Sequence, residues 1–150
     1  MFDKHIYKIL LEAVQMLCTA KKILDPDDPI NEKLYKIAHI NHPVSKWVRK
    51  SRANYVWTLK LVKAMHREWQ FRYNHPREKQ HKSYLIYLIL KRNIPDLNKF
   101  ECDEMTPFAL AMPEQYKTDS AVESYRKYYM GEEKRRLASW KKRDMPKWFH

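Results

Sequence analysis

The chain of 150 residues contains a single glycine, Gly131. Gly-rich phosphate loops, the dinucleotide-binding fingerprint and the nucleophile elbow of serine hydrolases all need glycines in groups, so these are excluded. A hairpin-rich β fold is disfavoured on the same ground, because its tight turns need residues at positive φ. Two cysteines, Cys18 and Cys102, supply neither a zinc ribbon nor a disulfide framework. No apolar run approaches the roughly 20 residues of a membrane-spanning helix. Asp3, Lys4 and His5 interrupt any signal-peptide pattern at once. Acidic residues are scarce too: 18 Asp and Glu stand against 30 Lys and Arg, a net charge of +12. These absences lead us to expect a soluble, cytoplasmic protein with a polyanionic partner and no membrane association.

The chain is rich in apolar side chains. Apolar residues make up 44% of it, and five Trp, ten Tyr and five Phe are among them. That is enough to build a core in one domain spanning residues 1–150. Prolines and capping residues divide the chain into about five helices, so the expected fold class is all-α. The first helix spans about Asp3 to Leu24, stopped by Asp25-Pro26-Asp27-Asp28-Pro29. Residues 31–42 are ambiguous, with a short helix expected around Leu34 to Ile40. Pro43 opens a short helix through Lys50, and a long one runs from about Ser51 to Tyr73. Another is expected from about Arg77 to Arg92. Residues 93–117, with Pro95, Pro107 and Pro113, predict a long irregular loop. The capping box Ser120-x-x-Glu123 opens a last helix reaching about Arg143.

Charge is unevenly spread along these elements. Residues 51–92 carry a net +8, residues 31–50 and the last 33 residues each carry +4, and the 93–117 loop carries −3. At 100° per residue, the long helix turns Tyr55, Thr58, Leu59, Val62, Met65, Trp69 and Tyr73 inward, with Arg52, Lys60, Lys63 and Arg67 on other faces. Lys46, Arg49 and Lys50 lie just upstream. Lys134, Arg135, Lys141, Lys142 and Arg143 form a second basic cluster. Basic surface with aromatics nearby suits phosphate contact plus base stacking, and where a base is taken out of the stack an aromatic such as Trp57 or Trp148 is the candidate to fill the gap. The partner expected is nucleic acid, with double-stranded DNA favoured.

The first helix is apolar over most of its surface, leaving a narrow polar stripe of His5, Lys8, Glu12, Gln15 and Thr19. His5 and Glu12 stand about 10 Å apart along the axis, from a rise of about 1.5 Å per residue. They cannot touch, but both can reach one bound ligand if the stripe is the wall of a cleft. Otherwise it is a solvated strip in which Glu12 pairs with Lys8. Glu12 is the carboxylate best placed for acid–base work, on a helix that limits its hydration. His39 and His42 have a spacing that suits a metal, but no cysteine or carboxylate nearby completes a four-ligand set. No cofactor is expected. Cys18 falls on the apolar arc, and Cys102, between Glu101 and Asp103, lacks the positive surroundings of an activated thiolate.

Two resemblances add to this. The stretch His42-Pro43-x-x-x-Trp47-x-Arg49-x-Ser51-x-x-Asn54-Tyr55-x-Trp57, then Thr106-Pro107-Phe108, Ala111-Met112-Pro113, Tyr125-Arg126-x-Tyr128-Tyr129, Glu133-Lys134, Trp140-x-x-Arg143 and Pro146-x-Trp148-Phe149, resembles a family of small phage and bacterial proteins without a settled activity. It covers nearly the whole chain and implies a phage context, hence the host cytoplasm. Asp3-Lys4-His5-Ile6 with Glu12, and the closing Pro146-x-Trp148, are similar to the phage pyrimidine-dimer DNA glycosylases. Those are small, basic, all-helical proteins. They flip a nucleotide, attack the sugar with the N-terminal amine and use a glutamate on the first helix. That resemblance gives Glu12 the glutamate's role and His5 a DNA-facing position; where the family has arginines around its glutamate, this chain has Leu11 and Gln15.

The function expected is therefore a basic helical DNA-binding protein, in its sharper form a DNA glycosylase/AP lyase acting on damaged or modified pyrimidines. Its candidate catalytic residues are Glu12 and His5. Candidate phosphate contacts are Lys8, the cations of the middle helices and the C-terminal cluster. Two alternatives stay open: a non-catalytic module binding nucleic acid or an acidic protein, and a small enzyme acting on a phosphorylated nucleotide.

Overall fold

The computed structural model describes residues 1–150. It is all-α: α1 (Asp3–Leu24), α2 (Pro43–Lys50), α3 (Arg52–Arg72), α4 (Tyr84–Arg92), α5 (Ala121–Met130) and a single turn, α6 (Glu132–Arg135). Three short 3₁₀ turns, Pro29–Lys33, Leu97–Lys99 and Glu114–Tyr116, interrupt the connections. The only β pairing is one isolated bridge between Ser51 and Cys102. No helix is long and apolar enough to cross a membrane.

The core forms where the apolar arc of α1 meets the inward stripe of α3. Leu10, Val14, Leu17 and Cys18 pack with Tyr55, Leu59, Val62 and Met65. Trp47 and Val48 of α2, Tyr87 and Leu90 of α4, and Phe100 complete the cluster. Each such aliphatic side chain removed from water contributes about 1.5–3 kcal/mol. Burial pushes the Cys18 thiol up to about 11, so it is an inert part of this core.

Three expected elements differ, each because a distant side chain competes for backbone groups or space. The expected helix from Arg77 begins only at Tyr84. Upstream of it, the Gln70 amide donates to the carbonyls of Arg77 and Lys79, at 3.0 and 2.8 Å. His66 Nε2 accepts from the His81 amide at 3.2 Å. Residues 73–83 are thus tied to α3 rather than to a helix of their own. The segment 34–40 is also not helical, because Thr19 Oγ1 bonds both the amide and the carbonyl of Ala38. Finally, the last helix breaks at Gly131, whose backbone is extended. A Cβ at Gly131 would meet the hydroxyl end of Tyr116, which would have to shift to admit it, whereas the φ at this position suits any residue. Arg136, Trp140 and the basic residues 141–143 therefore do not continue the helical face begun by Tyr125 and Tyr128.

The segment beyond α6 is held by a buried ionic anchor. Asp3 accepts hydrogen bonds from Ser139 Oγ at 2.7 Å and from the Lys141 amide at 2.9 Å. Arg72 Nη1 reaches the same carboxylate at 3.1 Å and the Met1 carbonyl at 2.9 Å. The C-terminal segment is laid across the start of α1 and the end of α3, with Phe149 packed on Phe2.

Candidate nucleic-acid interface

The outward face of α3 is the most coherent basic surface. Residues at i, i+3 and i+4 share a helix face, and Trp57, Lys60, Ala64, Arg67 and Phe71 are exposed in that register, opposite the buried stripe. Fourteen steps at a rise of about 1.5 Å give this face a length of about 21 Å. Lys63 is half-buried beside it, and Arg52 half-buried in the first turn. Lys60, Lys63 and Arg67 take part in no ion pair, so no carboxylate offsets their charges. Helical spacing alone places Phe71 on this face; Phe71 was not among the residues expected from the sequence.

The C-terminal cations are not one cluster. Arg143 and Lys142 lie over the Phe71 ring, 4.3 and 5.3 Å from its centroid, extending the α3 face at its end. Arg143 also grips Glu68 through two 2.8 Å bonds. That grip, joined by Arg72, holds the Glu68 carboxyl down at about 2. Lys141 covers Tyr73, Lys134 covers Tyr128 and Arg135 covers Phe149. Trp148 is half-buried beneath Arg126 and packs against Tyr129 and Phe149, which leaves little of its ring free.

A second basic surface lies on α2. Lys46 and Lys50 are exposed and Arg49 is half-buried, its guanidinium donating to the Ile40 carbonyl at 2.8 Å. With Lys99 and Glu101 they line an open cleft of about 380 Å³ beside Ile23 and Leu24.

The polar stripe of α1 is not one solvated strip. His5 is buried, its Nδ1 3.1 Å from the Tyr129 hydroxyl and its ring packed against Phe2 and Tyr129. Burial, aided by Lys134 and Lys8, pushes its pKa down to about 4, so the ring is neutral near pH 7. His5, expected in a DNA-facing position, is thus covered by Tyr129 of α5. Thr19, at the far end, is covered by residues 35–38. Between them, Lys8 is exposed and Glu12 and Gln15 are half-buried. Glu12 forms no ion pair, with Lys8 or otherwise.

The histidines have structural partners. His42 caps α2 by accepting from the Val44 amide, and His39 is exposed. His75 and His81 are half-buried and pack on Trp69. No group of three or more His, Cys, Asp or Glu side chains is arranged to hold a metal ion. The chain matches no family model, no curated protein and no solved structure. Both resemblances therefore rest on their short motifs alone.

Proposed function

We propose that the protein binds DNA by laying the outward face of α3 along the phosphate backbone. The observation that carries this reading is the row Lys60, Lys63 and Arg67, uncompensated by any carboxylate and bracketed by the exposed rings of Trp57 and Phe71. Lysine and arginine in such a row displace condensed counterions from the backbone, so affinity falls steeply with salt. Lys142 and Arg143 continue the track beyond Phe71. Lys46, Arg49 and Lys50 offer a second contact on α2. Fluorescence anisotropy with a labelled duplex at about 50 mM salt tests the reading. Binding that weakens log-linearly with salt supports it, and absence of binding to duplex or single strand rejects it.

A second reading, base excision, is favoured by one specific observation. Glu12 is a half-buried carboxylate without an ion-pair partner on a helix otherwise mostly apolar. Such a group can stabilise the positive charge that develops on a sugar as its base leaves. His5, neutral and bonded to Tyr129, would position the helix start rather than touch substrate. Duplexes carrying ultraviolet photoproducts, abasic sites or modified pyrimidines should then be cleaved by wild type and not by Glu12→Gln, with DNA affinity retained. Borohydride should trap a covalent adduct if an amine attacks. Intact substrates with wild type, or equal cleavage by Glu12→Gln, leave the binding reading alone.

A further inference from the structure

At the Trp57 end the α3 face changes character. Trp57 and Phe108 leave 38% and 40% of their surface exposed and adjoin each other, with centroids 5.0 Å apart and planes inclined at 61°. Behind them the buried Trp47 stacks on Phe108 at 5.2 Å and meets Trp57 edge-on at 5.6 Å. One face of Phe108 is thereby stacked on Trp47, and the residue still keeps 40% of its surface exposed.

Phe108 is also held rigidly. Two residues before it, Thr106 is fixed by the fully buried Asn54. The Asn54 amide donates to Thr106 Oγ1 at 2.8 Å and to the Trp47 carbonyl at 2.8 Å. Its oxygen accepts from the Thr106 amide at 3.1 Å. The Trp47 indole donates to the Thr106 carbonyl at 3.2 Å. Pro107, with its fixed φ, links this clamp to the ring. A buried amide with its hydrogen bonds satisfied is a strong positional constraint, and here it fixes the place of an aromatic residue that stays 40% exposed.

The charges around the pair are polarised. Lys60 lies one turn along α3 from Trp57, and Arg67 two turns further. On the other side the loop carrying Glu101, Asp103 and Glu104 is pinned to the first turn of α3, where the Ala53 amide donates to the Asp103 carbonyl at 2.9 Å. An anionic chain is drawn toward Lys60 and repelled from that loop. The occupant that fits is flat, apolar on its face and tethered to phosphate. In duplex DNA the base faces are hidden in the stack, so only an unpaired or extruded base can present one.

We infer that Trp57 and Phe108 form a stacking platform for an unpaired base of the strand whose phosphates lie on Lys60, Lys63 and Arg67. This rests on the phosphate-binding reading of α3, and the test separates the two. The probes are a labelled oligothymidylate of about 12 nucleotides and an abasic deoxyribose-phosphate oligomer of the same length, at about 50 mM salt. Wild type should bind the oligothymidylate roughly 5- to 150-fold more tightly, the range expected for one stacked base. Trp57→Ala and Phe108→Ala should each lose most of that preference and keep the affinity for the abasic oligomer, while Trp57→Tyr retains it. Equal binding of both probes by wild type, or equal weakening of both by the alanine variants, overturns the platform while leaving phosphate binding standing. Failure of wild type to bind either probe overturns the platform, while binding to the labelled duplex decides the phosphate reading separately.

Discussion

α1 and α3 are the two long helices, each with an apolar arc in the same core and a polar stripe outside it, yet the rest of the chain treats the stripes oppositely. The stripe of α1 is covered at both ends, by Tyr129 over His5 and by Ala38 against Thr19. The face of α3 from Trp57 to Phe71 is left open, and the cations of the C-terminal segment gather at its end instead of covering it. A polar stripe on a helix is therefore not itself an interface. What matters is whether a distant segment supplies partners for it.

The largest effect should come from releasing the segment that covers α1. Asp3→Ala leaves Arg72 buried without one of its two carboxylates and frees Ser139 and the Lys141 amide. Breaking a buried pair from one side costs about 3–5 kcal/mol, which urea unfolding would register. A near-wild-type midpoint would show that this segment is not held by the anchor.

Acid should destabilise the fold through a buried histidine on each long helix, His5 under Tyr129 and His66 between α3 and residues 73–83. The pKa values of His5 and His66 are both pushed down to about 4, mainly by burial. An unfolded chain takes up protons from about 6.5 downward that these folded rings refuse. Their contribution is full above about 6.5 and lost as pH falls through about 4. Glu68, held at about 2, adds a further loss between its ordinary value near 4.5 and 2. Unfolding midpoints measured from pH 7 to 4 should fall, and His5→Gln should flatten the upper part of that fall.

At the other end of the stripe, Thr19→Val removes both bonds to Ala38. Leaving buried backbone groups unpaired costs about 1–3 kcal/mol. The smallest effect on stability belongs to the open face. Lys60→Gln, Lys63→Gln and Arg67→Gln should each shift stability by no more than about 0.5 kcal/mol, as expected for side chains that hold nothing in place. A larger loss for any of them would give that side chain a structural role and weaken the contrast.

The same contrast separates what the sequence made legible from what it hid. The spans of α1, α2 and α3, the core stripe of α3 from Tyr55 to Met65 and the cations Lys60, Lys63 and Arg67 on its other faces were legible, because helical periodicity is local; Trp69 and Tyr73, expected on the same stripe, are only half-buried. Phe71 was equally legible from its spacing to Trp57. The late start of α4 was not, since it depends on Gln70 and His66 satisfying backbone groups 7 to 15 residues away. Nor was the break at Gly131, which depends on Tyr116. The same non-locality hid the fate of His5, whose partner lies 124 residues on. Phe108 was written in the sequence only as a loop aromatic after a proline; its place beside Trp57 comes from Asn54.

The central claim is that the open face of α3, and not the stripe of α1, meets phosphate. The direct test is the salt dependence of duplex DNA affinity in two variants, Lys60→Gln/Lys63→Gln/Arg67→Gln and Lys8→Gln/Glu12→Gln. Each phosphate contact contributes a slope of about −0.9 in log affinity against log salt. The α3 variant should bind more weakly, with a slope flatter by about 2 to 3, and the α1 variant should keep a slope close to wild type. An unchanged slope in the α3 variant, or a flattening confined to the α1 variant, would contradict the account.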